Sequence, residues 1–296
     1  MSYRVAIVDG VGREVGRAAR EQVRKALGEI SSEKLGLGGR VHQVRKRLKK
    51  VRSALRLLRP RLRTSYAAEN AHFRDLGRLL APLREADAAV ETLGRLAQTG
   101  LGKDDGRALG RLLEAAVRRR DELTSDDARV RATLEEARLR LADGVRRIAA
   151  WEVDGDGFDE IGAGLAKTYR QARSAGRAAA SRQTAEAFHE FRKRGKDHWR
   201  HVGLLRDVWP TPMKARAHEL HALGDLLGDD HDLSDVVDLA ERIGVSEGQA
   251  DLLEELRLRS ANLRERADSL RIRLFAEKPK RFRQRCQTLW NAPPLS

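Results

Sequence analysis

Residues 40–63 carry the densest chemistry in the chain: 11 Lys or Arg and no Asp or Glu in 24 positions. Val41, Val44, Leu48, Val51, Leu55, Leu58 and Leu62 step by three and four, which is one apolar seam of a helix. His42, Arg45, Lys49, Arg52, Arg56, Arg59 and Arg63 take the same steps one residue later, about 100° further round. The helix therefore buries one edge and offers an adjoining cationic edge. Like charges four apart on a helix repel by a few tenths of a kcal/mol per pair. A polyanion, or acids from neighbouring helices, must offset that. Arginine suits phosphate because its planar fork donates two parallel hydrogen bonds. A charge run is ordinarily a solvated face, but solvated faces mix signs, and this one does not.

The pattern recurs. His42-Gln43-Val44-Arg45-Lys46-Arg47-Leu48-Lys49 returns as His189-Glu190-Phe191-Arg192-Lys193-Arg194-Gly195-Lys196, an offset of 147. The same offset aligns Leu57-Leu58-Arg59 with Leu204-Leu205-Arg206, Leu76-Gly77 with Leu223-Gly224, and Leu79-Leu80 with Leu226-Leu227. An offset of 146 pairs Val15-Gly16 with Ile161-Gly162 and Arg24 with Arg170. Each half ends near a tryptophan, Trp151 or Trp290. Such self-similarity is the mark of a duplicated unit. In the second copy Phe188, Phe191, Gly195, His198, Val202 and Leu205 form the seam. His189, Arg192 and Lys196 form the cationic edge, which lapses at Trp199 and Gly203 before Arg206. A histidine heading such a stripe is either a core or capping residue or a phosphate ligand. Beside a bound phosphate it would become a cation.

The elements that must hold these stripes are helices. Helical spacing predicts 11–34, 40–63, 66–80, 82–98, 103–123 and 125–150. The second half offers 158–180, 182–208, 212–227, 231–243, 247–266 and 267–290. Breaks are expected at residues 36–39, at Gly100 and Gly102, at Pro210 and Pro212, and at Pro279. Asp154-Gly155-Asp156-Gly157 is the expected linker. Apart from a short extended piece at Tyr3–Val8, no strand is expected. The reading is all-α, with halves 1–153 and 154–296 packed about a pseudo-twofold axis.

The 296 residues hold 59 Lys plus Arg against 44 Asp plus Glu, a net charge of +15. Such an excess draws polyanions to the surface. One cysteine, Cys286, excludes an intrachain disulfide and a cysteine-rich zinc site. No run of 18 apolar residues is present to span a membrane. Met1–Asp9 lacks the apolar core of a signal peptide, and a cytoplasmic location is expected. Aromatics make up 4 % of the chain, which leaves few rings for stacking bases.

Other constellations read as structure. Gly228-Asp229-Asp230-His231-Asp232 has the residue types of a metal or phosphohydrolase site. The blander expectation is a turn followed by acids stabilised at a helix N-terminus. Gly10-Val11-Gly12-Arg13-Glu14-Val15-Gly16 spaces glycines like a dinucleotide loop but has no strand–helix–strand unit around it. Cys286 lies near Arg283 and Arg285, and an inert thiol in a C-terminal helix is expected.

The run from Val41-His42 through Arg45-Lys46, Lys49-Lys50 and Arg52 to Leu57 resembles the first signature helix of the CHAD family, the conserved histidine α-helical domain. His189–Trp199 resembles the second signature helix, and Leu226–Leu233 a further family element. The likeness covers about residues 11 to 290. It implies two pseudo-symmetric four-helix bundles forming one domain around a central basic groove or pore, and non-catalytic binding of inorganic polyphosphate. It further implies association with polyphosphate granules and with polyphosphate-metabolising enzymes. By motif position the binding residues would be His42, Arg45, Lys46, Lys49, Lys50 and Arg52, with His189, Arg192, Lys193 and Lys196 from the second copy. Arg24 and Arg170 are additions from each first helix, and Arg56 and Arg206 extend the stripes. No cofactor is implied. Asp197 and Trp199 depart from the family pattern, where many members carry bases. Two alternatives stay open: a nucleic-acid-binding helical protein, for which the charge argues, and a metal-dependent phosphohydrolase using Asp229 and Asp232. On the polyphosphate reading, nucleic acid is only a non-specific competitor.

Overall fold

A computed structural model describes residues 3–6, 10–98, 103–153, 157–244 and 249–293. Among these residues the regular structure is entirely helical. The helices are α1 (Val11–Ile30), α2 (Leu37–Leu62), α3 (Ser65–Leu79), α4 (Ala81–Ala97), α5 (Lys103–Thr124), α6 (Asp127–Ala149), α7 (Asp159–Arg182), α8 (Ala185–Leu204), α9 (Pro210–Ile243), α10 (Gln249–Leu274) and α11 (Pro279–Trp290), with a 3-10 turn at Arg206–Val208. The expected breaks at Gly100 and Gly102, the linker residues 154–156 and positions 7 and 8 lie outside the described residues. Residues 3–6, the described part of the expected extended piece, form no strand.

The duplication is visible in the packing. Helix α1 packs on α2 and α6, and α7 packs on α8 and α11; α2 meets α3 as α8 meets α9; α4 meets α5 as α9 meets α10. The predicted seam of α2 is buried throughout, and Phe188, Phe191, His198, Val202 and Leu205 are buried from the second copy. One hydrophobic core runs through both halves. A smaller one joins Leu93 and Leu96 of α4 and Leu109 and Leu112 of α5 to Leu233 and Val236 of α9 and Leu252 and Leu256 of α10. The halves also meet through α2 and α7, where a Cβ on Gly164 would stand 2.0 Å from the Leu57 carbonyl oxygen. Only glycine permits that approach.

The sequence reading is corrected at two places: 267–290 is not one helix, since α10 runs on to Leu274 and α11 starts at Pro279, and a boundary expected in α9 is absent. Residues 212–227 and 231–243 are not two helices; α9 runs unbroken for 34 residues, and Gly228–Asp232 lies inside it. Tertiary partners explain why. Buried Asp230 accepts hydrogen bonds from Ser260 Oγ and, at 2.7 Å, from Arg264 Nε of α10. Asp232 pairs with Arg95 of α4 at 2.7 Å. These contacts hold helical a stretch whose local preference is for a turn. In the first half the equivalent stretch is interrupted at Leu80, between α3 and α4.

Candidate functional site

Helices α2 and α8 carry the two basic stripes, and they meet at a tied crossing. Ser53 Oγ donates to the Asp197 carbonyl at 3.4 Å, and His201 Nε2 donates to the Ser53 carbonyl at 2.8 Å. Asp197 accepts from Arg56 of α2 at 3.2 Å and from Arg200 of α8 at 3.4 Å. All three charged side chains are largely buried, so this is an internal triad. It explains the departure at Asp197: the carboxylate neutralises two arginines that the crossing brings together.

Next to the crossing, Lys49 of α2 faces Arg192 and Lys196 of α8, with Arg45 beside it on α2 between Glu85 and Arg84 of α4. Lys49 is pushed down to about 8, first by burial and then by Arg45, Arg200, Arg192 and Lys196. Its repeat equivalent Lys196 is pushed to about 8 by burial and then by Arg192 and Arg200, with Asp225 and Asp232 pulling the other way. Lys49 is nevertheless open to solvent. Among the described residues, neither lysine makes an ion pair or hydrogen bond, and the Nε of Arg192 is buried without a partner. Buried donors are normally satisfied, so this guanidinium keeps a free donor at the cluster.

Glycines seat this cluster. Arg45 donates to the Gly77 carbonyl. At the repeat-equivalent Gly224, a Cβ would stand 3.2 Å from Lys196 Cε, and at Gly228 3.7 Å from Arg192 Nε. The Lys196 and Arg192 side chains thus lie across α9.

The remaining predicted residues fall around this centre. His42 and Lys46 are exposed. The imidazole of His42 is held below its ordinary pKa by burial and by the charge of Arg84. His189 sits against His231 of α9, with Nδ1 atoms 3.3 Å apart. Burial and His231 push it down to about 4. Lys193 pairs with Glu190 at 2.7 Å. Lys50 lies over the Tyr3 ring, 5.2 Å from its centroid. Burial, then Arg47, Lys46, Lys25 and Arg200, bring it to about 8. Arg52 donates to Asn70 Oδ1 at 3.2 Å. Arg24 and Arg170 stand exposed on α1 and α7, and neither is a leading influence on Lys49 or Lys196. Arg206 lies in the 3-10 turn after α8.

Sequence reasoning missed Arg200, Tyr3 and the role of His231. The repeat held a signal for the last, since His231 stands 147 residues after Arg84, the residue that faces His42. Arg200 occupies the place of Ser53, and nothing in the stripe marks it.

Three acids of α9 are held by other helices, while Asp225, Asp232 and Asp235 of the same helix lie close enough to act on or feel Lys196 and Arg192. Asp229 and Asp232 face Arg95 at 3.8 and 2.7 Å, and Asp230 is tied to α10. Among the described residues, no group of three or more His, Cys, Asp or Glu has metal-holding geometry. Grooves of about 580 and 540 Å³ flank α10. Neither includes a cation of the α2–α8 cluster. Cys286 is buried, and burial raises its thiol to about 11. Gly12 N–H donates to buried Glu160 at 2.8 Å, so the glycine-spaced start of α1 is a packing contact with α7. No helix among the described residues is long and apolar enough to cross a membrane.

No curated protein matches the chain. The crystal structure of the CHAD domain from the plant Ricinus communis is similar to it at 16 % identity, over 99 % of this chain and 94 % of that one, with a TM-score of 0.47. The CHAD domain family model matches residues 17–241, which takes in both histidine helices and the Gly228–Asp232 segment of α9. The chain belongs to the CHAD domain family.

Proposed function

We propose that this protein binds inorganic polyphosphate, without chemical turnover, in the cleft between α2 and α8. The observation that carries the reading is the pair Lys49 and Lys196. Repeat-equivalent lysines from two helices crowd the same two arginines of α8, Arg192 and Arg200, and both are depressed to about 8. Holding these cations together costs free energy in the empty protein, and a dense linear anion offsets it. Releasing the polymer's counterions adds a driving force that fades as salt rises. A base-free polymer fits better than nucleic acid, because the rings near the cleft are engaged internally. Tyr3 lies under Lys50, and Trp199 packs against His221. Association with polyphosphate granules and polyphosphate-metabolising enzymes, in the cytoplasm, goes with this reading.

The test is a salt series of binding to long polyphosphate, duplex DNA and single-stranded DNA at matched charge. Polyphosphate should bind more tightly at every salt concentration. Equal or tighter binding of either DNA would overturn the proposal and favour the nucleic-acid reading.

A further inference from the structure

The cations Lys49, Arg192 and Lys196 of α2 and α8 gather beside the helix crossing. Two independent features close it. The first is the Arg56–Asp197–Arg200 triad, which cancels part of the charge where a continuous track would need it. The second is the N-terminal segment. Tyr3 donates to the Lys50 carbonyl at 2.7 Å, and Val5 N–H donates to the Leu204 carbonyl at 3.0 Å. Val5 is buried, and Arg4 pairs with Asp207 beyond the end of α8 at 3.4 Å. Tyr3 also lies close enough to Arg200, Asp197 and Arg56 for their charges to act on its hydroxyl. Residues 3–5 thus strap α2 to the end of α8 beside the triad. Towards the start of α2, His42 and Lys46 are open to solvent, as is Lys49 one turn before the crossing.

We infer that the site is a blind cleft with one mouth, into which an internal stretch of the phosphate chain is laid sideways, and through which no chain threads. The inference rests on the polyphosphate reading and adds a mode of entry. The cations that meet phosphate are then Arg45, Lys49, Arg192 and Lys196. Arg56 and Arg200 form the floor and do not touch ligand. Asp197 sets where the track ends.

Threading needs a free chain end, and lateral entry does not. The experiment compares one polyphosphate length with free ends and with both ends blocked by a bulky protein, such as biotin capped by streptavidin. Association rate and Kd are measured on the wild-type full chain. Lateral entry predicts both quantities within about twofold of the free-ended chain. A loss of tenfold or more on blocking the ends would overturn the blind cleft and leave polyphosphate binding standing. Absence of salt-dependent binding to both chains would overturn the functional reading itself.

A variant tests the floor. Asp197→Asn frees Arg56 and Arg200 from their counter-charge, so the slope of log affinity against log salt should steepen by about one to two. An unchanged slope in a folded variant would show that Asp197 does not end the track. The capped-chain comparison needs no variant and decides the mode of entry even if Asp197→Asn does not fold.

Discussion

The Nδ1 atoms of His189 and His231 lie 3.3 Å apart, with ring centroids separated by 4.3 Å. In the other half of the repeat, His42 is faced by Arg84, whose place His231 takes 147 residues later. Arg84 is held by Glu91 at 2.8 Å and is a permanent cation. His231 is held by Asp235 at 3.4 Å and titrates. The two halves therefore place different chemistry beside equivalent histidines: a fixed charge in one, a proton-dependent charge in the other.

Binding should tighten with acid through this pair. His189 is depressed to about 4 in the empty protein, so at pH 7 it is neutral. Burial pushes it down first, then His231, Lys193 and Arg192, and Glu190 opposes them. His231 is held down by burial and Arg192, against Asp232, Asp230 and Asp238. A nearby phosphate chain favours the imidazolium, so the complex takes up a proton that the free protein lacks. Affinity then rises as pH falls from about 6.5 towards 4, by at most about tenfold per pH unit for one proton. Below about pH 4 the free protein is protonated too, and the gain ends. Polyphosphate titrations between pH 7.5 and 5 check this. His231→Arg, which copies the first half, should bind with a flatter pH profile; an unaltered profile would place the proton elsewhere.

The cleft lysines should trade affinity against tolerance of their removal. Lys49→Gln or Lys196→Gln takes away one phosphate contact, so the salt slope should fall by about one and affinity should drop at every salt concentration. Thermal stability should hold or rise, because each substitution relieves repulsion within the cluster. On the alkaline side, the free site loses charge above about pH 8, so wild-type affinity should decline there. Lys49→Arg should decline less. Reversing Arg45 and Lys49 to Glu should weaken binding strongly. Reversing Arg118 and Arg119, which are exposed on α5, should do much less. Equal losses from both pairs would mean that net charge, not the cleft, does the binding.

The helical class, the duplicated register and the α2 stripe were legible in the sequence because each is periodic. Apolar seams at steps of three and four mark helices whatever they pack against. The offset that joins His42 to His189 also joins Gly77 to Gly224, and both proved to lie against basic side chains, Arg45 in one half and Lys196 in the other. What stayed hidden depends on partners distant in the chain. Gly228–Asp232 reads as a turn until Ser260, Arg264 and Arg95 are known to face it. Arg56 reads as a free cation until Asp197 is seen 3.2 Å away on another helix. No local pattern encodes such a meeting.

The contact between the halves should fail if Gly164 gains a side chain. A Cβ there would lie 2.0 Å from the Leu57 carbonyl oxygen and 2.9 Å from that of Arg56, both backbone atoms that cannot rotate away. Gly164→Ala should cost about 3 kcal/mol or more by overpacking, which corresponds to a Tm lower by roughly 5 °C or more for a chain of this size. Gly110→Ala on α5 meets nothing within 4 Å. It should stabilise slightly through helix propensity, by up to about 1 kcal/mol. Thermal melts of the two variants, run together, separate the packing effect from the residue change.

Gly224 and Gly228 offer the sharpest separation of stability from binding. Both are buried inside α9, where replacing glycine by alanine favours the helix by roughly 1 kcal/mol. Their surroundings differ in one respect. At 228 the new methyl would meet Arg192 at 3.7 Å, an ordinary contact that leaves the guanidinium in place. At 224 it would meet Lys196 Cε at 3.2 Å and Cγ at 3.6 Å, and the flexible side chain must give by a few tenths of an ångström at its charged end. Gly228→Ala should therefore melt higher and bind polyphosphate within about twofold of wild type. Gly224→Ala should also melt no lower, yet bind several-fold more weakly, with a salt slope shallower by up to one. The opposite signs in a single variant matter, because a protein weakened by misfolding would lose both together. If Gly224→Ala binds as wild type does, the position of Lys196 over α9 is not what the ligand reads.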